Sequence, residues 1–193
     1  MKRVKHYARQ LLSDPWLLLV ASQFLLIILA LGLGWKYGIA WQRELALNEN
    51  LLWGALGGTL LAWSNIYLCR WGWRAGWQWA LEYRHFCQHW NFLTPGRILF
   101  LSLASGYAEE ALFRGVLVNL WGPLPQGFLF ALLHYGGPRL WFLPLWSGIL
   151  GCLLGYYIEL GGELGAAMAL HAANNLWALS YISKELAPKS ESA

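Results

Sequence analysis

Six polar residues stand in stretches that are otherwise apolar: Glu109, Glu110, Arg114, His134, His171 and Asn175. A charged side chain in the middle of a membrane helix costs several kcal/mol unless it is paired or faces a wet cavity, so each is a functional candidate by default. Glu110 and Arg114 are four residues apart, on one helix face, and can form an ion pair. Glu109 points about 100° away from Glu110. Its i+4 neighbour is Phe113, so its own helix offers it no cation and it is free to act as a general base. His134 follows Phe130 by four residues and His171 precedes Asn175 by four, again same-face pairs. His171 and Asn175 offer two adjacent hydrogen-bond donors, or one metal ligand and one donor. Aimed at a carbonyl, they would stabilise the oxyanion that forms when water attacks.

The plainer reading is that a Glu–Arg pair ties helices together and that an intramembrane His or Asn is interhelical glue. Three same-face pairs plus a carboxylate without a cation outweigh it. Hydrolysis by an activated water is the chemistry these residue types suit. Other intramembrane peptidase chemistries lack their motifs: there is no H-E-x-x-H helix and no G-x-S-x-G serine. The sequence has one Asp, Asp14, which precedes the first apolar run, so an aspartyl dyad is excluded.

The elements that must hold these residues are apolar helices. Of 193 residues, 58% are hydrophobic and 12% charged, about half the charged share of a soluble domain. Mean hydropathy is +0.38, and the 14 Trp match a residue that gathers at membrane–water interfaces. The expected class is all-α, a polytopic membrane bundle of about six transmembrane helices plus an interfacial helix. Spans are expected at Trp16–Trp35, Leu51–Cys69, Ile98–Leu120, Leu140–Ile158 and Leu164–Ile182. A short helix, Gln126–Tyr135, follows the turn Gly122–Pro125 and is too short to cross unless tilted or sheltered. Trp71–Pro95 carries Arg74, Glu82 and Arg84, and its Trp73, Trp77 and Leu81 recur every four residues, so a surface helix is expected there. Pro95-Gly96 is read as a breaker before the third span.

Basic residues flank the apolar runs: Lys2, Arg3, Lys5 and Arg9, the segment Arg70–Arg97, Arg139, and Lys184 with Lys189. The loop with Glu44 and Glu49 is balanced, and that with Glu159 and Glu163 is acidic. The positive-inside rule then puts both termini in the cytoplasm. On that topology Glu109, His134 and His171 reach a common depth of about 12–16 Å. The first apolar run exceeds a signal-peptide core of about 7–15 residues, so an anchor is expected. A net charge of +4 without a basic patch excludes a nucleic-acid partner. Cys69, Cys87 and Cys152 have no metal-type spacing, and their odd number argues against a disulfide framework.

The segments Glu109-Glu110-Ala111-Leu112-Phe113-Arg114, Phe130-Ala131-Leu132-Leu133-His134 and His171-Ala172-Ala173-Asn174-Asn175 resemble, in order, the EExxxR, FxxxH and HxxxN motifs of the CPBP family. These are intramembrane CAAX prenyl proteases and bacteriocin-processing enzymes, also called the Abi family. The resemblance covers about residues 98–182 and divides the chain into N-terminal membrane and interfacial helices (1–97), a catalytic helix core (98–182) and a polar tail (183–193). It implies that Glu109 and His134 activate water, that Glu110 and Arg114 position, and that His171 and Asn175 stabilise the oxyanion. Phe113 and Phe130 are the substrate-binding candidates. The family's metal question stays open: Glu109, His134 and His171 could supply a zinc-type ligand set, although a metal-free site leaves Glu109 available as the base. The implied substrate is a prenylated protein or another membrane-associated peptide, delivered in membrane lipid. A catalytically inactive scaffold or bacteriocin-immunity protein of the same family is the alternative. A transporter would need a polar path through both leaflets, which the N-terminal spans do not supply.

Overall fold

The computed structural model describes residues 14–39 and 49–187, all helices and connecting turns. The basic residues Lys2, Arg3, Lys5 and Arg9, together with Glu44 and Lys189, lie outside the described residues. Helix α1 is Pro15–Tyr37, opened by Asp14, whose carboxylate accepts from the Trp16 N–H at 2.9 Å, and closed by Gly38 at φ 72°. Helix α2 is Asn50–Arg74 and the short α3 is Gln78–Cys87. Helix α4, Pro95–Glu110, passes through a π-helical stretch, Ala111–Leu117, into a last α turn, α5, Val118–Trp121. Helix α6 is Pro123–Leu133, and a 3-10 turn, Pro138–Leu140, leads to α7, Phe142–Glu159. Helix α8, Leu164–Tyr181, runs on into a second π stretch, Ile182–Leu186.

Three of these, α1, α2 and α7, are long and apolar enough to cross a membrane. Helix α8 and the run 95–121 carry the polar residues of the site, which dilute the apolar signal of segments otherwise long enough. Exposed aliphatic and aromatic side chains along the outer faces, such as Leu25, Ile28, Leu60, Tyr67 and Leu153, are the surface of a protein solvated by lipid. The chain is an integral membrane protein.

Several expected boundaries are corrected. The surface helix does not begin at Trp71: α2 continues to Arg74, and Gly76, at φ 73°, turns the chain before α3 starts. Trp73 therefore sits on a different helix from Leu81, and the four-residue spacing spans a break. Pro95-Gly96 opens α4 rather than preceding it, because Thr94 caps the helix through the Arg97 N–H and Pro fits the first turn, where no N–H is needed. Pro123 starts α6 for the same reason. The polar tail begins later than residue 183, since Ser183 donates to the Leu93 carbonyl at 3.1 Å and Ile182 is buried.

Helix directions follow from the contacts. Ser105 meets Asn175 and Glu110 meets His171, so α4 and α8 are antiparallel. Helices α2 and α8 are parallel and touch backbone to backbone: a Cβ at Gly54 or Gly58 would run into the carbonyl of Ala166 or Leu170. Gly54, Gly58 and Ala62 are all buried, small residues spaced by four, which lets two membrane helices approach this closely. Gly106 does the same for α4 against Ala172. Helix α6 lies antiparallel on α7, where Gly127 faces Cys152 and Gly155 faces Pro123 and Gln126.

Candidate active site

The ion pair expected from the i, i+4 spacing is formed. Arg114 Nη1 donates to Glu110 Oε1 at 3.0 Å, and both side chains are fully buried. The guanidinium lies 4.3 Å from the centre of the Phe130 ring, a cation–π contact that covers the charge where no water reaches. Glu110 Oε1 also accepts from His171 Nδ1 at 2.7 Å, joining α4 to α8. Arg114, Glu110 and His171 thus form one chain of charge-assisted bonds.

Glu109 turns to the other side of the same imidazole. Its Oε2 lies 3.9 Å from His171 Nε2 and 3.9 Å from His134 Nε2, and it is buried without a hydrogen-bond partner. His134 closes α6, and its Nδ1 lies 2.8 Å from the Phe130 carbonyl, so that nitrogen carries the proton and Nε2 presents its lone pair towards Glu109. Helix α6, 11 residues long, carries His134 as the residue that caps its C-terminal end. The start of α6 is held by Gln126, fully buried, which donates to the Gly151 carbonyl of α7 at 2.7 Å.

Asn175 donates from Nδ2 to Ser105 Oγ at 2.8 Å, and its Oδ1 accepts from Asn174 at 3.2 Å. This fixes the amide and leaves one of its two N–H donors uncommitted. Phe113 and Phe130, the substrate-binding candidates, are 1% and 5% exposed. They pack edge-to-face at 4.9 Å, and Phe130 also meets the His134 ring at 4.4 Å and His171 at 6.3 Å. Both are buried, and Phe130 packs against the polar cluster.

All six polar candidates therefore converge. Ser105, Asn174 and Gln126 went unread in the sequence. Ser105 precedes Glu109 by four, which puts it on the same helix face, a signal of the same kind as the other pairs. The cysteines stay apart from the site. Cys87, on α3, is fully buried, and that burial pushes its thiol up to about 12.

Residues 91–177 match the family described as Type II CAAX prenyl endopeptidase Rce1-like. That segment holds all three motifs and every residue of the cluster, and the resemblance to the CPBP proteases read from them is borne out by it. The chain is 31% identical over 91 residues to the uncharacterized protein YyaK of Bacillus subtilis (strain 168), which covers 40% of this chain and 30% of that protein. It is 38% identical over 74 residues to the uncharacterized protein YpbD of the same organism, covering 38% of this chain and 39% of that one. The matched part thus spans well under half of either relative. No solved structure matches the chain.

Proposed function

We propose that this protein is an intramembrane endopeptidase that hydrolyses a peptide bond near the C-terminus of a prenylated or other membrane-delivered peptide. The observation that carries the reading is the placement of Glu109 Oε2 at 3.9 Å from two imidazole Nε2 atoms, each ring being fixed through its other nitrogen. The Glu109 carboxylate oxygen and the His134 Nε2 lone pair face one point and form a seat for the two O–H donors of a water, with His171 Nε2 beside it. Glu109 and His134 take a proton from that water as its oxygen attacks the carbonyl carbon. The oxyanion is met by the uncommitted Asn175 N–H and by His171. Because Nδ1 of His171 is committed to Glu110, it can donate only from Nε2, which requires a ring carrying both protons. Glu110 and Glu109, one on each side, supply the counter-charge. Collapse of the tetrahedral intermediate breaks the C–N bond, and the leaving amine takes up a proton from Glu109 or His134.

Zinc suits this arrangement less well. Bonds of about 2.0–2.1 Å in a tetrahedron bring donor atoms to about 3.3 Å from each other, whereas both Glu109–His spacings are 3.9 Å. Among the described residues no group of three His, Cys, Asp or Glu is arranged to hold a metal.

Six successive crossings, both termini cytoplasmic, are part of the same proposal. The parallel α2 and α8 and the antiparallel α4 and α8 have the relative directions that such a path gives. The test is cleavage of a farnesylated fluorogenic peptide by purified protein, with and without a chelator, against the Glu109→Ala variant. Cleavage by the wild-type chain alone supports the reading, and equal rates for both proteins overturn it.

A further inference from the structure

Between the start of α3 and the 3-10 turn before α7 lies a cavity of about 790 Å³. Trp77, Trp79 and Trp141 wall it, and Gln78, Glu82 and Arg139 complete its lining. The indoles are braced from behind: Trp77 packs on Trp71 at 4.5 Å and Trp79 on Phe142 at 5.1 Å. The one acidic group of this lining is engaged, because Gln78 Nε2 donates to Glu82 Oε1 at 2.8 Å. Arg139 makes no ion pair within 4.0 Å among the described residues. An unpaired guanidinium facing rigid indoles is a site for a planar anion with apolar substituents.

Its place in the chain narrows the anion. Arg139 follows His134 by five residues, so the two Cα atoms lie within about 18 Å. A peptide of three extended residues reaches about 10 Å, and the arginine side chain closes the remainder. We propose that this cavity receives the C-terminal carboxylate of the peptide substrate, with Arg139 as its cation and the indoles covering the last apolar side chain. The proposal rests on the peptidase reading above. Orienting the chain in a membrane calls for a basic residue outside the bilayer, but does not call for one facing three indoles. A lipid phosphate is the other source of an anion here, and the span to His134 favours the carboxylate.

Binding is read separately from cleavage, on the Glu109→Gln protein in phosphatidylcholine nanodiscs. The probes are an S-farnesylcysteine tetrapeptide ending in a free carboxylate and its C-terminal amide. The free acid is expected to bind about 10- to 100-fold tighter than the amide, and Arg139→Gln to abolish that difference while leaving amide binding and thermal stability unchanged. Arg139→Lys, keeping the charge but losing the fork, is expected to retain part of it. Equal binding of acid and amide overturns the proposal, as does an Arg139→Gln loss that falls equally on both. So does acid binding that collapses when phosphatidylglycerol is added, which assigns the site to lipid. Cleavage is followed in parallel on the chain with Glu109 intact: selective binding without cleavage would overturn the peptidase reading and leave the carboxylate site standing.

Discussion

Glu110 and His171 lie 61 residues apart in the chain and are joined by a hydrogen bond of 2.7 Å. Through that bond the buried Glu110–Arg114 pair sets the orientation of an imidazole whose other nitrogen faces Glu109. The two adjacent carboxylates therefore do different work on one ring: Glu110 holds it, and Glu109 shares its open side.

Arg114→Ala is expected to cost stability as well as activity. It would leave Glu110 fully buried without its cation, and breaking such a pair costs about 3–5 kcal/mol in soluble proteins. A thermal melt in detergent checks this, and an unchanged melting temperature would contradict the pairing. Arg114→Lys restores the charge but not the guanidinium's contact with the Phe130 ring, so it should recover part of the stability only.

Glu109→Ala is expected to abolish turnover with little change in melting temperature. Its carboxylate has no ion-pair contact closer than 3.9 Å, and His171 keeps its 2.7 Å bond to Glu110 when Glu109 is removed. A variant that keeps more than a small fraction of the wild-type rate, measured on the farnesylated peptide, would remove Glu109 from the role of base.

Much of this was legible in the sequence, for a definite reason. Contacts within one helix are set by residue spacing, so the Glu110–Arg114 bond and the Phe130–His134 ring contact follow from intervals of four. Contacts between helices depend on which faces meet, and no spacing gives that. The Glu110–His171 bond, the Ser105 brace on Asn175 and the Gln126 tie to Gly151 are all of this second kind. The break at Gly76 was missed because Trp73, Trp77 and Leu81 keep a helical interval across a turn that is not helical. The π stretch was not legible either: Gly115 is a poor helix former, but one glycine does not specify a π turn.

Asn175→Ala is expected to slow turnover by about 10²–10³, the usual cost of one oxyanion donor. Ser105→Ala should reproduce a smaller part of that loss, because Asn175 would keep its amide but lose the 2.8 Å contact that aims it. Ser105→Thr, which keeps the hydroxyl, should come closer to wild type. Rates at saturating substrate separate the two: a Ser105→Ala defect seen only in KM would point to substrate contact instead.

Activity is expected to survive exhaustive chelation, with well under one metal per chain by elemental analysis. Near-stoichiometric zinc in the active preparation, with loss on chelation and recovery on zinc addition, would establish the opposite. His171→Ala is inactive under either outcome, so it does not discriminate.

Gly58→Ala is expected to impair both folding and turnover, although Gly58 lies outside the segment that matches the family. Its new methyl would meet the backbone carbonyl of Leu170, the residue before His171. Overpacking of this kind typically costs about 1–3 kcal/mol. A melt and a rate assay check it together. Gly57→Ala, whose Cβ would sit in ordinary contact at 3.6 Å from Leu170, is the control expected to stay near wild type.

The π-helical stretch, Ala111–Leu117, begins one residue after the acidic pair. A π-helical turn holds more residues than the α-helical ladder uses, in effect one surplus residue taken into the helix. Deleting Val116, which keeps the Glu110–Arg114 interval, would let the stretch close into an ordinary α-helical turn. The acidic pair would still face His171, and the Val118–Trp121 turn would still reach α6. Between the acidic pair and His134, the chain thus tolerates a change of one residue in length at this stretch, while the side chains on either side of it keep their places.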